Sequence, residues 1–320
     1  MSFFTSADVT LGEKLLEILY MICGVICLYA AFKNLKDKEN PSRVGTFSFW
    51  FLFGVLMAFG RFIGNLPNGN VINGIIVLVM MLPAILKKVK PGHSNVATPE
   101  EQVADFNKIG MKIFIPALGI GLFALIFAFI PNVSSLVGMG VGVIIGIILL
   151  TIFNSKNTVK TYFDDSERFL SIIGPICLLP CLLGVLGSIF TVAGVGDAIS
   201  ALVGKIIPEG NLVVGIIVYA IGMMFFTMIM GNAFAAITVM TVGIGGPFVF
   251  ALGADPVLCG MLALTCGYCG TLCTPMAANF NIVPVAILEM NDKWGVIKKQ
   301  IVPAFALIIF QIAYMLMFGM

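Results

Sequence analysis

The sequence predicts an all-α, polytopic transmembrane protein of about eight full spans, one re-entrant helical hairpin and one discontinuous helix. Three observations predict it. The 320 residues are 59% hydrophobic and only 11% charged, with a mean hydropathy of +1.07, far outside soluble composition. Uncharged runs long enough to cross a hydrocarbon core, about 20 residues each, recur along the chain without the apolar–polar alternation of a membrane barrel. Lys and Arg gather in the short intervals between those runs, as the positive-inside rule requires. The net charge of +2 suggests no nucleic-acid partner.

Met1 to Asp8 lacks the basic start of a cleavable signal, so Leu15 to Phe32 is expected to remain as the first span. Lys33, Lys36, Lys38 and Arg43 follow it and place that loop in the cytoplasm, with the N-terminus outside. Phe47 to Ile63 returns outward, and Val71 to Leu86 comes back to a second basic loop, Lys87 to Lys112. Within that loop a short surface helix is expected from Pro99. Ile113 to Ser155 holds two spans turned at Pro131-Asn132, and ends at Lys156, Lys160 and Arg168. These five spans form an N-terminal bundle, 1–168, and 169–320 forms a second, transport-like half.

In that half, Phe169 to Phe190 is expected to cross outward, kinked by Pro175 and Pro180, and Thr191 to Pro208 to lie as an interfacial or partly re-entrant helix. The interval 210–254 supplies two apolar arms around Gly231-Asn232-Ala233, either two full spans or a hairpin. A cytoplasmic turn normally carries Lys or Arg, and Met228 to Met240 carries none, which favours the hairpin. Pro256 to Leu288 has no charge and is too long for one straight span; Gly270 and Pro275 mark the expected break. Lys293, Lys298 and Lys299 are again cytoplasmic, and Ile301 to Phe318 ends outside. One internal echo, Pro67 to Val77 against Pro208 to Val218, does not extend further.

Unwound backbone at membrane depth is tolerated where it is buried in protein or lines a cavity. Broken helices that meet a solute near the midplane mark secondary transporters. The candidate substrate-binding residues are therefore Gly231, Asn232, Ala233, Thr271, Thr274, Asn279 and Asn281. The free N–H groups of the arm after Asn232 suit a carboxylate, and carbonyls released by Pro275 suit Na⁺. Asp197 and Thr238 are coupling candidates, with Na⁺ or H⁺ as the coupling ion and no other cofactor. The competing reading is that Asn and Thr only glue helices together, at about 1 kcal/mol each. Arg61 sits near a span's outer end, where it either snorkels or attracts anions. The eight cysteines include Cys23/Cys27, Cys177/Cys181 and Cys266, Cys269, Cys273; they read as small reduced packing residues, with no metal site. His93 is too isolated for a site. No His-Glu-x-x-His, Gly-x-Ser-x-Gly or phosphate-cradling motif points to an enzyme.

FTMIMGNAFAAITVMTVG over Phe226 to Gly243, followed by CGYCGTLCTPMAANFN over Cys266 to Asn281, resembles an uncharacterised bacterial permease family, a domain-of-unknown-function group, over nearly the whole chain. It also distantly resembles the ion-transporter superfamily of anion and carboxylate permeases, in which a hairpin tip faces an unwound helix across the substrate. Of that superfamily's Ser-Asn-Thr tip only Asn232 is kept here, and one hairpin stands where two inverted ones are usual. The resemblance implies a permease subunit in the bacterial cytoplasmic membrane, acting by symport on a small organic anion such as a carboxylate or a 5-oxoproline-like derivative. It also implies a second, smaller membrane subunit or a homo-oligomer. The alternative is a non-transporting scaffold subunit of a two-component membrane complex.

Overall fold

The computed structural model describes residues 2–92, 98–205, 207–208 and 210–320. His93 and Glu209 lie outside the described residues, as do the side chains of Pro180 and Cys181. All regular elements among the described residues are helical. The chain divides into two compact units, Met1–Gly174 and Pro175–Met320, so the junction falls beyond 168 because a helix runs on to Ile173.

In the first unit, α1 (Ser2–Thr5) precedes α2 (Leu11–Lys36), α3 (Arg43–Gly64) and α4 (Gly69–Ile85). A capping box between Thr10 and Glu13 starts α2. Small residues let α2 and α3 approach: a carbon added at Gly24 would lie 2.7 Å from the Ala58 side chain, the close approach favoured in lipid. After α5 (Pro99–Ile109), capped by Thr98 and Glu101, come α6 (Phe114–Ala128) and α7 (Ser135–Phe153). Gly138 and Gly142 of α7 pack directly on the α6 backbone at Phe123 and Ile120.

The last helix of this unit corrects an expectation. Phe169 does not open a span; it belongs to α8 (Val159–Ile173), an amphipathic helix carrying Asp164, Asp165, Glu167 and Arg168. Gly174, at φ +54, ends it. The network that holds α8 to α2 is dense. Lys33 Nζ lies 2.8 Å from Asp164 and 3.1 Å from Glu167. Tyr29 donates to Asp164, and Asn34 and Ser171 donate to the buried Glu167.

A short 3-10 turn, Gly174–Leu178, begins at the last residue of the first unit, and the second unit continues with α9 (Leu179–Val192) and α10 (Val195–Val203). Val185–Val192 and Val195–Val203 are bent by 67° at Ala193-Gly194 and together have the length and composition of a broken span. The interfacial helix expected over 191–208 is thus the second limb of a bent pair. Next come α11 (Leu212–Met230) and α12 (Ala233–Met240), then a π segment, Thr241–Gly245, the one-turn α13 (Gly246–Phe248) and a 3-10 turn, Phe250–Leu252. The unit ends with α14 (Pro256–Leu272), α15 (Ala278–Ile287) and α16 (Gly295–Phe318). Its core joins Ile216, Tyr219 and Met223 of α11 to Ala263 and Cys266 of α14 and Ile308 and Met315 of α16.

Among the described residues, seven helical stretches, or eight counting the bent pair, are long and apolar enough to cross a membrane. Outward side chains match that environment: Leu118 is 73% exposed, Ile229 71% and Met317 73%, apolar surface that water would penalise. The chain is a polytopic helical membrane protein.

Candidate functional site

The two interruptions foreseen in the second unit meet. α11 stops because Gly231 turns left-handed, φ +70, and its N–H bonds back to the Thr227 carbonyl. The helix that would have supplied the next donor to Met228 is gone, and the Thr274 hydroxyl takes its place, donating to the Met228 carbonyl at 2.8 Å. α14 stops just before Pro275, which has no N–H to offer the Thr271 carbonyl. Asn281, at the start of α15, supplies the missing donor: its Nδ2 donates to Thr271 at 2.7 Å and to Thr274 at 2.6 Å. Gly231 lies against Met276 so closely that an added carbon would fall 2.5 Å from its carbonyl oxygen.

Several sequence expectations change here. The N–H groups opening α12 are not free: Asn232 Oδ1 accepts from Phe234 and Ala235 at 2.9 and 3.3 Å. The carbonyls around Pro275 do not wait for a cation, since Thr271 and Thr274 each accept from Asn281. The Thr271 hydroxyl donates within its own helix to Tyr268. Ala233 is buried, whereas Asn279 is exposed and stands apart from this contact. Thr238 and Asp197 are both exposed; Thr238 donates to Ala235, and Asp197 lies in the first turn of α10. The depth changes too. Counted along α11, 19 residues rise about 28 Å, so the turn at Gly231-Asn232 lies nearly a full core thickness from Asn211 rather than half of one.

Beside the break lies a cavity of 670 Å³ whose lining includes Pro275, Asn281, Val285, Glu289, Lys293 and Trp294. That size suits a small organic ligand. Of the residues singled out in the sequence, only Pro275 and Asn281 line it. Asn281 is 1% exposed, and its Oδ1 has no hydrogen-bond donor among the described residues, a cost of about 1–3 kcal/mol when left unmet. At the rim, Asp292 pairs with Lys298 at 2.9 Å. The Lys298 ammonium, helped by the Trp294 N–H, holds the Asp292 carboxyl below its ordinary range. Lys293 forms no ion pair among the described residues, and it shares the cavity wall with the Glu289 carboxylate.

Sequence reasoning passed over three polar groups. The Thr227 hydroxyl is fully buried beside Gly267 and Gly270 with no partner among the described residues. Glu17, hidden inside the first apolar run, lies 3.0 Å from Arg61, so Arg61 is a paired base. The acids of α8 were visible only as loop charges, although Asp164, Glu167 and Ser171 follow helical spacing. Of the described cysteines, Cys27, Cys259, Cys266 and Cys269 are buried as small side chains, with Cys266 Sγ donating to Gln311 at 3.0 Å.

Among known families, the one described as "Protein of unknown function (DUF979)" matches residues 17–320. No curated protein and no solved structure matches the chain.

Proposed function

Since the chain belongs to that family of unknown function and is a polytopic helical membrane protein, we propose that it is a permease subunit rather than an enzyme, moving a small organic anion by secondary transport. The substrate class is a carboxylate, with a 5-oxoproline-like derivative as the leading candidate, and Na⁺ or H⁺ is the coupling ion. The membrane is the bacterial cytoplasmic membrane with both termini outside, and a second, smaller membrane subunit or a homo-oligomer completes the assembly.

One observation carries this reading: the 670 Å³ cavity at the break, with a buried Asn281 in its wall and, also lining it, a Lys293 that forms no ion pair among the described residues. The apolar walls suit a carbon skeleton, and the ammonium suits a carboxylate. Because the break is closed by hydrogen bonds from Asn281 and Thr274, both would have to reorganise as substrate passes. Alternating access requires a movable element of that kind.

The same saturation of the break favours a second reading, a non-transporting scaffold subunit whose Asn and Thr serve as interhelical glue. Uptake of labelled 5-oxoproline into cells separates the two. Transport predicts saturable, gradient-driven uptake that Lys293→Gln lowers about tenfold, the scale of losing one charged hydrogen bond. Uptake that is absent with the chain present, or unchanged by Lys293→Gln, would leave the scaffold reading standing.

A further inference from the structure

Glu17 is a carboxylate in a membrane-spanning helix and is 4% exposed. An ionisable group in that setting is costly, and it needs both a partner and a reason. Its partner is Arg61 of α3, Nε to Oε2 at 3.0 Å. Phe3 of α1 covers the guanidinium, its ring centroid 4.4 Å from the central carbon. Two observations say that the pair is more than a staple. The Arg61 side chain is 40% exposed, and of the five N–H donors a guanidinium carries Glu17 engages the Nε edge alone among the described contacts. The pair also lines a cavity of 290 Å³ with Tyr20, Leu56, Met57 and Gly60, so the remaining donors border open space.

A planar fork of N–H groups is built for a carboxylate. While Glu17 is ionised, however, the pair is neutral overall, and a second carboxylate would be pressed against the first, an arrangement that disfavours having both charged. One proton on Glu17 removes that obstacle. The other charged or titratable groups near this end of α2 do not offer an alternative. Glu13 is engaged by Thr10 in the capping box and also feels the Arg61 charge at longer range, and Lys14 donates to the Ser6 carbonyl at 2.9 Å. Tyr20 lines the cavity beside the pair. α1 and the packed stretch 129–153 contain no titratable side chain.

We propose that Glu17 and Arg61 form a proton-linked carboxylate site. Binding takes up one anion and one proton from water: the proton goes to Glu17, Arg61 exchanges the Glu17 carboxylate for the ligand's, and the net charge of the site stays at zero. A carboxylate and a proton then bind as an electroneutral pair. The inference shares with the proposed function the premise of a carboxylate ligand, and nothing of the cavity at the break.

The test is calorimetric binding of 5-oxoproline and of propionate to the purified full-length chain in detergent across several pH units. One linked proton predicts that affinity falls about tenfold for each unit the pH rises. In Glu17→Gln that slope disappears, and in Arg61→Gln the pH-dependent component is lost. If Glu17→Gln does not give a monodisperse protein, Glu17→Gln/Arg61→Gln, which leaves no unpaired charge, is measured in its place and must show no pH-linked binding. Affinity independent of pH in the natural chain, or an unchanged slope in Glu17→Gln, overturns the proposal. pH-linked binding that persists in the double variant and vanishes in Lys293→Gln overturns it while leaving the proposed function intact. No binding of either anion to the natural chain removes both.

Discussion

Asn281 shows how one side chain can close a gap that proline opens. Its Nδ2 replaces the donor that Pro275 lacks and also holds Thr274, so Asn281→Ala leaves two buried carbonyls without that donor. The expected loss is about 1–3 kcal/mol, read as a lower midpoint in thermal unfolding in detergent. Asn281→Asp should be worse, because it turns a donor into an acceptor facing two carbonyls. Gly231 is constrained differently. With φ at +70, a side chain there costs roughly 1–2 kcal/mol from the left-handed backbone alone, and its Cβ would also collide with Met276. Gly231→Ala should therefore lower the unfolding midpoint, whereas Gly260→Ala, with nothing near its added carbon, should not. The sequence marked Asn281 and Gly231 as unusual in an apolar stretch. It did not reveal that the Asn281 amide turns back onto the Thr271 and Thr274 carbonyls or that Gly231 packs on Met276, because both depend on how the chain folds back at the break, as does the Thr274 hydroxyl's bond to Met228, 46 residues away. Glu17 was missed for a plainer reason: hydropathy averaged over a span conceals one acid.

At the scale of elements, α8 was the least legible. Apolar-run length is the natural guide to spans, and an amphipathic helix with five charges breaks such a run. The stretch reads as loop, although Asp164 and Glu167 form the face that docks on Lys33. That face makes a prediction about pH. Hydrogen bonds from Lys33 and Tyr29 hold the Asp164 carboxyl below its ordinary range. A depressed folded-state value means that the contribution is present above the unfolded value, near 4, and is lost as pH falls through the depressed one. Because the Asp164 side chain is 37% exposed, the effect is at most about 1 kcal/mol. Asp164→Asn should unfold at a lower temperature than the natural chain at pH 7, and the two midpoints should converge as the medium is acidified toward pH 3. A gap that persists in acid would show that Asp164 acts through shape rather than charge. By contrast, the break of α14 and α15 was legible in the sequence because Pro275 and Gly270 fall in an uncharged run too long for one straight span, whereas Pro83, Pro284 and Pro303 lie inside continuous helices.

For the whole molecule the open element is the bent pair formed by α9 and α10, since a 67° bend suits either a broken span or a re-entrant loop. Sidedness decides between them. The basic intervals at Lys156 to Arg168 and Lys293 to Lys299 belong on the same, cytoplasmic side by the positive-inside rule. The number of crossings between them must then be even. α11 and the arm from α12 to Leu252 contribute two or none, whether they span or form a hairpin, and α14 with α15 contributes one. On that rule the bent pair supplies the remaining crossing, which predicts a broken span and an external interval before α11. A topology reporter fused after Pro208 should report the outside, and one fused after Lys293 the cytoplasm. A cytoplasmic signal at Pro208 would make 185–203 re-entrant and would require another crossing in the second unit. The only candidate is then the pair of arms around Gly231, one spanning and one not, which their nearly equal lengths of 19 and 20 residues do not favour.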